Sequence, residues 1–97
     1  MRFRFTAPLW EWSAQGGWFF VTLPDEYAED IREVPRMPRG FGAVRVRVTI
    51  GGSHWKTSIF PDGGKGCYVL PIKRAVREAE GLDPGDVTTV AVQLMDY

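Results

Sequence analysis

The stretch from Trp55 to Asp86, WKTSIFPDGGKGCYVLPIKRAVREAEGLDPGD, constrains the fold of this chain more than any other. Residues 53–60 alternate as a strand, with Trp55, Thr57 and Ile59 on one face and His54, Lys56, Ser58 and Phe60 on the other. PDGGKG then reads as a glycine-rich hairpin loop, and CYVLP as the returning strand. At Ile72 the period changes. Ile72, Ala75, Val76 and Ala79 recur at helical spacing, with Lys73, Arg74, Arg77 and Glu78 outside. Gly81 ends that helix, and DPGD turns the chain into a last strand in which Val90, Val92 and Leu94 alternate.

The upstream half supplies the rest of the sheet. In AVRVRVTI, residues 43–50, the inward set is Val44, Val46, Val48 and Ile50, and the outward set Arg45, Arg47 and Thr49. Gly51-Gly52 allows a tight hairpin, because glycine accepts the positive φ such turns require. At the start of the chain, Phe3, Phe5 and Ala7 alternate with Arg2, Arg4 and Thr6, so 2–12 reads as one strand. Pro8 cannot donate to a ladder; a bulge or bend is expected there, with a phase shift that turns Trp10 and Trp12 inward. WFFVTL, residues 18–23, is apolar on both faces and reads as a buried strand hairpinned to the first. After Pro24, DEYAEDIREV reads as a short helix capped by Asp25, its stripe formed by Tyr27, Ile31 and Val34. Pro35 and Pro38 exclude its continuation and leave 35–41 as an extended loop carrying Arg36 and Arg39. The expected fold is all-β: one domain over 1–97, a small closed or partly open antiparallel β-barrel of about six strands with two short connecting helices.

Composition bounds the classes of function. At 97 residues with 44% hydrophobic and 13% aromatic content, the chain is that of an ordinary globular domain, and four Trp and six Phe compensate for its small size. MRFRFTAPLW has no continuous apolar core, so no signal peptide is expected, and no segment approaches a membrane span. Cys67 is the one cysteine, which excludes an intramolecular disulfide and fits a cytoplasmic protein. The zero net charge conceals blocks: residues 32–77 hold ten of the twelve basic groups against only Glu33 and Asp62. The flanking segments are acidic, and antiparallel pairing can interleave all three blocks.

TSIFP, a glycine-containing turn, and YVLPIKRAVREAEGLDPGD resemble the uncharacterised bacterial family known as domain of unknown function 1905. WFFVTLP resembles that family's second strand and its proline exit, so the likeness covers nearly the whole chain. It implies a small β-barrel ending in strand, turn, strand, helix, Gly-Asp turn and strand, and a module of the kind found fused to other small domains. It implies no activity, substrate or catalytic residue.

The residues themselves argue for binding rather than catalysis. His54 follows the Gly-Gly turn on a polar face, the position of an exposed strand-end histidine; Ser58, Asp62 and Cys67 stand in no nucleophile context beside it. Cys67 reads as a small buried hydrophobe. PDGGKG lacks the G-x-x-x-x-G-K-[ST] spacing and precedes a strand, so it is a hairpin loop rather than a phosphate loop. One His and one Cys give no metal-ligand spacing, and no cofactor is expected. The candidate ligand contacts are Arg45, Arg47, His54 and Lys56 on the central hairpin, with Lys73 and Arg74 at the start of the second helix. The leading expectation is a non-enzymatic module, monomer or homodimer, for an unknown small molecule or protein partner. A nucleic-acid-binding regulator using the same basic residues is the alternative, weakened by a pI near 6.6. A hydrolase or thiol enzyme through His54 or Cys67 ranks last.

Overall fold

The computed structural model describes residues 1–14, 16–33, 42–62 and 66–95. The expectations for 34–41 and for 63–65 lie outside them. In chain order the elements are β1 (Arg2–Pro8), β2 (Trp10–Glu11), β3 (Phe19–Thr22), α1 (Asp25–Glu33), β4 (Val44–Ile50), β5 (Ser53–Asp62), β6 (Cys67–Pro71), α2 (Arg74–Glu80) and β7 (Val87–Leu94). The strands form one antiparallel sheet in the order β1-β7-β4-β5-β6-β3-β2, curled into a half-barrel. No helix among the described residues is long and apolar enough to cross a membrane.

Seven strands replace the expected six because 2–12 is two strands, parted at Leu9. Leu9 donates its amide to the Asp86 carbonyl (2.9 Å) and accepts from the Gly85 amide (2.7 Å). It therefore stays tied to the turn before β7 while the chain bends. β1 and β2 are the two ends of the strand order, so this one residue links both ends of the sheet.

The expected phase shift at Pro8 does not occur. The inward series Phe3, Phe5, Ala7 runs on through Leu9, which is 1% exposed, so Trp10 and Trp12 stay on the outer side. Trp10 finds cover there. It pairs with Phe20, their rings 5.0 Å apart, and its indole donates to Thr22 Oγ1 (2.9 Å). Nor is WFFVTL a buried strand throughout: Val21 and Leu23 are buried, Phe19 and Phe20 half-buried, and Trp18 exposed.

One core fills the curl. Val44, Val46, Val48 and Ile50 meet Ile59 from β5, Val90, Val92 and Leu94 from β7, and Leu70 from β6. α1 lays Ala28 and Ile31 on this core, and Tyr27 rests its ring 4.6 Å from that of Phe3. α2 sits on it through Ile72 and Val76; Ala75 and Ala79, read as part of its apolar stripe, face solvent instead. Within its seven residues, about two turns, Val76 is the one buried side chain, and Ile72 just before the helix adds the second anchor. Gly81 closes it in the left-handed region at φ 64°.

The β4–β5 hairpin has the Gly51-Gly52 turn anticipated from sequence, with Ile50 opposite Ser53. Gly51 sits at φ 56°, and a Cβ there would overlap the Glu80 carboxylate, which also accepts a 2.7 Å hydrogen bond from Ser53 Oγ. Gly51→Ala is expected to cost about 1–2 kcal/mol, from left-handed strain plus displacement of Glu80. Urea denaturation measures it; an unchanged midpoint would show that the turn relaxes freely.

Candidate functional site

β5 and β6 pair at one end and then separate. They pair only at Phe60–Val69, Pro61–Tyr68 and Asp62–Cys67. Pro71 has no amide hydrogen to extend the ladder, and the next amide, Ile72, donates instead to Phe19 O on the far side of β6 (2.8 Å). The chain then enters α2. The first half of β5 is left facing a gap, bounded across from it by 71–77 and the 17–19 segment.

That gap is a cleft of about 640 Å³, a volume in the range of small-molecule sites. Its apolar walls are Trp18, Phe19, Trp55, Pro71 and Ile72. Four cations, Lys56, Lys73, Arg74 and Arg77, stand around it, with the Thr57 hydroxyl between. No carboxylate or imidazole lines it among the described residues.

Arg77 is the most constrained of the four. Its guanidinium lies over the Phe19 ring, 3.8 Å from the centroid, and Nε donates to Ile72 O at 3.2 Å. Stacking and one hydrogen bond fix the plane and leave its terminal nitrogens as donors. Arg74 is held differently, by Glu78 at 2.7 Å; both partners are largely exposed, so this pair contributes little. The β5 backbone adds polar groups. In a two-residue hairpin the Ile50–Ser53, Val48–Trp55 and Val46–Thr57 couples exchange the hydrogen bonds, so the peptide groups of His54, Lys56 and Ser58 point away from β4, toward the gap.

The six residues singled out from sequence therefore divide. Lys56, Lys73 and Arg74 come together at the cleft. Arg45, Arg47 and His54 lie on the outer face of the sheet, where Arg47 is paired with Lys56 in register. His54 Nδ1 lies 3.1 Å from Thr49 Oγ1 on an exposed surface. Cys67 is buried at the start of β6, and no group of three potential metal ligands occurs among the described residues. Sequence reasoning treated the aromatic residues as core and so missed Trp18, Phe19 and Trp55 as lining. The usable signal was WFF, which is apolar in both strand phases and so cannot all face one core.

Fold and cleft together define a class: a curled antiparallel sheet opened at one seam, with a helix set across the opening. Over residues 5–92 the chain matches the family model described as Domain of unknown function (DUF1905), and it belongs to that family. A search of curated proteins gave no match.

Proposed function

We propose that this chain is a binding module that holds a small anion bearing a flat ring in the cleft between β5 and α2. The observation that carries this reading is the cleft's lining, with aromatic walls on one side and four cations and no acid around them. Rings accept a planar ligand by stacking, and ammonium and guanidinium groups hold a phosphate or carboxylate by charge-assisted hydrogen bonds. Arg77 is already oriented for that role by Phe19. The lining's lysines and arginines are groups that hold an anion, and the reading is one of binding. One buried thiol suits a reducing compartment, and we place the module in the cytoplasm.

The test uses adenosine 5′-monophosphate, adenosine and inorganic phosphate as probes, read by tryptophan fluorescence. The monophosphate is expected to quench Trp18 and Trp55 and to bind at least tenfold more tightly than either half alone. Lys73→Ala should weaken it several-fold. Equal, weak binding of all three probes would contradict the reading.

A further inference from the structure

The outer face of the sheet carries a second feature that the cleft does not explain. Register places Arg2, Gln93, Arg47 and Lys56 side by side across β1, β7, β4 and β5. The next outward row is Arg4, Ala91, Thr49 and His54. With strands about 4.8 Å apart and same-face neighbours about 7 Å apart along a strand, these cations form a grid rather than a scatter. No Asp or Glu occupies an outward position of β1, β7, β4 or residues 54–60 of β5. None of Arg2, Arg4, Arg47 or Lys56 has a carboxylate within 4.0 Å among the described residues. The short side chains of Ala91 and Thr49 leave a hollow of about 510 Å³, with Arg2 and Arg4 on one bank and Arg47 on the other. Arg2 and Arg4 come from an acidic stretch of sequence; β7, inserted between β1 and β4, brings them to the basic hairpin.

The same outer surface turns aromatic beyond β5. Trp12, Trp18 and Phe60 are 44%, 50% and 38% exposed, and with Phe20, Val69 and Pro71 they line an apolar hollow of about 260 Å³. Trp18 also borders the cleft alongside Lys56, so the cationic and aromatic halves meet there.

From this juxtaposition we infer that the outer face binds single-stranded nucleic acid, its phosphates along the Arg2–Arg47–Lys56 and Arg4 rows and its bases on the exposed rings. A cationic track beside sequence-tolerant stacking platforms is what such a ligand requires. A duplex fits worse. The outer face of a curled sheet is convex, as is a duplex, so few phosphates are reached at once, whereas a flexible strand follows the curve and presents its bases to the rings.

The experiment is fluorescence anisotropy of labelled twelve-residue oligothymidylate and oligouridylate against the full chain at 50 and 200 mM salt. Four phosphate contacts predict a salt slope of about −2.8, or roughly a 50-fold loss of affinity between the two conditions. Arg4→Ala/Arg47→Ala should halve that slope, and Phe60→Ala or Trp12→Ala should each weaken binding about fivefold or more. Arg4→Ala/Arg47→Ala, on the grid and away from the cleft, should leave adenosine 5′-monophosphate binding unchanged, which separates failure of this inference from failure of the cleft reading. Absence of binding at 50 mM salt would overturn it. So would tighter binding to a duplex, displacement by polyglutamate at equal charge, or indifference to both aromatic substitutions.

Discussion

Replacing Leu9 by alanine is expected to destabilise the protein by about 3 kcal/mol, lowering the melting midpoint by roughly 12–24 °C. Leu9 is 1% exposed and occupies the bend at which β1 passes into β2. Its peptide group is fixed to 85–86 by two hydrogen bonds, so the backbone there has little freedom to move into the space a shorter side chain leaves. The cavity would open where the two ends of the strand order meet. Val87, at the start of β7 and 66% exposed, is the control: Val87→Ala should stay within about 0.5 kcal/mol of the parent. Thermal and urea melts followed by far-UV circular dichroism measure both. A loss under about 1 kcal/mol at Leu9 would mean that the joint repacks easily and is not a fixed point of the fold.

Replacing Arg77 by alanine is expected to weaken adenosine 5′-monophosphate binding about 10- to 100-fold, the scale of a hydrogen bond to a charged group. The informative comparison is Arg77→Lys. Lysine keeps the charge but not the plane that lies 3.8 Å over Phe19, nor the Nε donor to Ile72 O. It should recover little of the affinity, because at a stacked site the two cations are not interchangeable. Phe19→Leu should then reduce affinity by a smaller factor, since the guanidinium remains but loses its platform. Full recovery by lysine would reduce the role of Arg77 to net charge near the cleft. Global stability should fall by only about 0.5–1 kcal/mol in Arg77→Ala, the worth of a partly exposed cation–π contact, so altered binding would not reflect unfolding.

Alternation made much of the fold legible. Val44 to Ile50, Trp55 to Ile59 and Val90 to Leu94 face the way their period of two requires, because each strand has one wet and one dry face. Gly51 and Gly81 marked a hairpin and a helix end for the reason glycine usually does, a positive φ. Leu9 was harder. A proline suggested a break in phase, yet the phase holds and the break is in partner strands, which depends on 85–86, far away in sequence.

The site was legible only in pieces. Lys56, Lys73 and Arg74 stood out by charge, but their convergence depends on β5 and β6 separating after three couples, a consequence of where Pro71 falls and where Ile72 finds its acceptor. Arg2 and Arg4 sit in a segment of net negative charge, and nothing local announces that β7 will carry them to Arg47. Trp18 and Trp55 resemble core residues in any linear reading. Their partial exposure follows from the seam, which is a tertiary feature.

The most direct measurement is a titration of isotopically labelled protein with adenosine 5′-monophosphate, followed by amide and indole nuclear magnetic resonance shifts. If the cleft is the binding site, the perturbed signals cluster at the Trp18 and Trp55 indoles and at the amides of Lys56, Thr57, Ile72, Lys73 and Arg77, while those of Arg4, Ala91 and Gln93 on the outer face stay still. Shifts confined to the outer face, or spread without focus over every basic surface, would contradict a cleft built to hold a ring and an anion together.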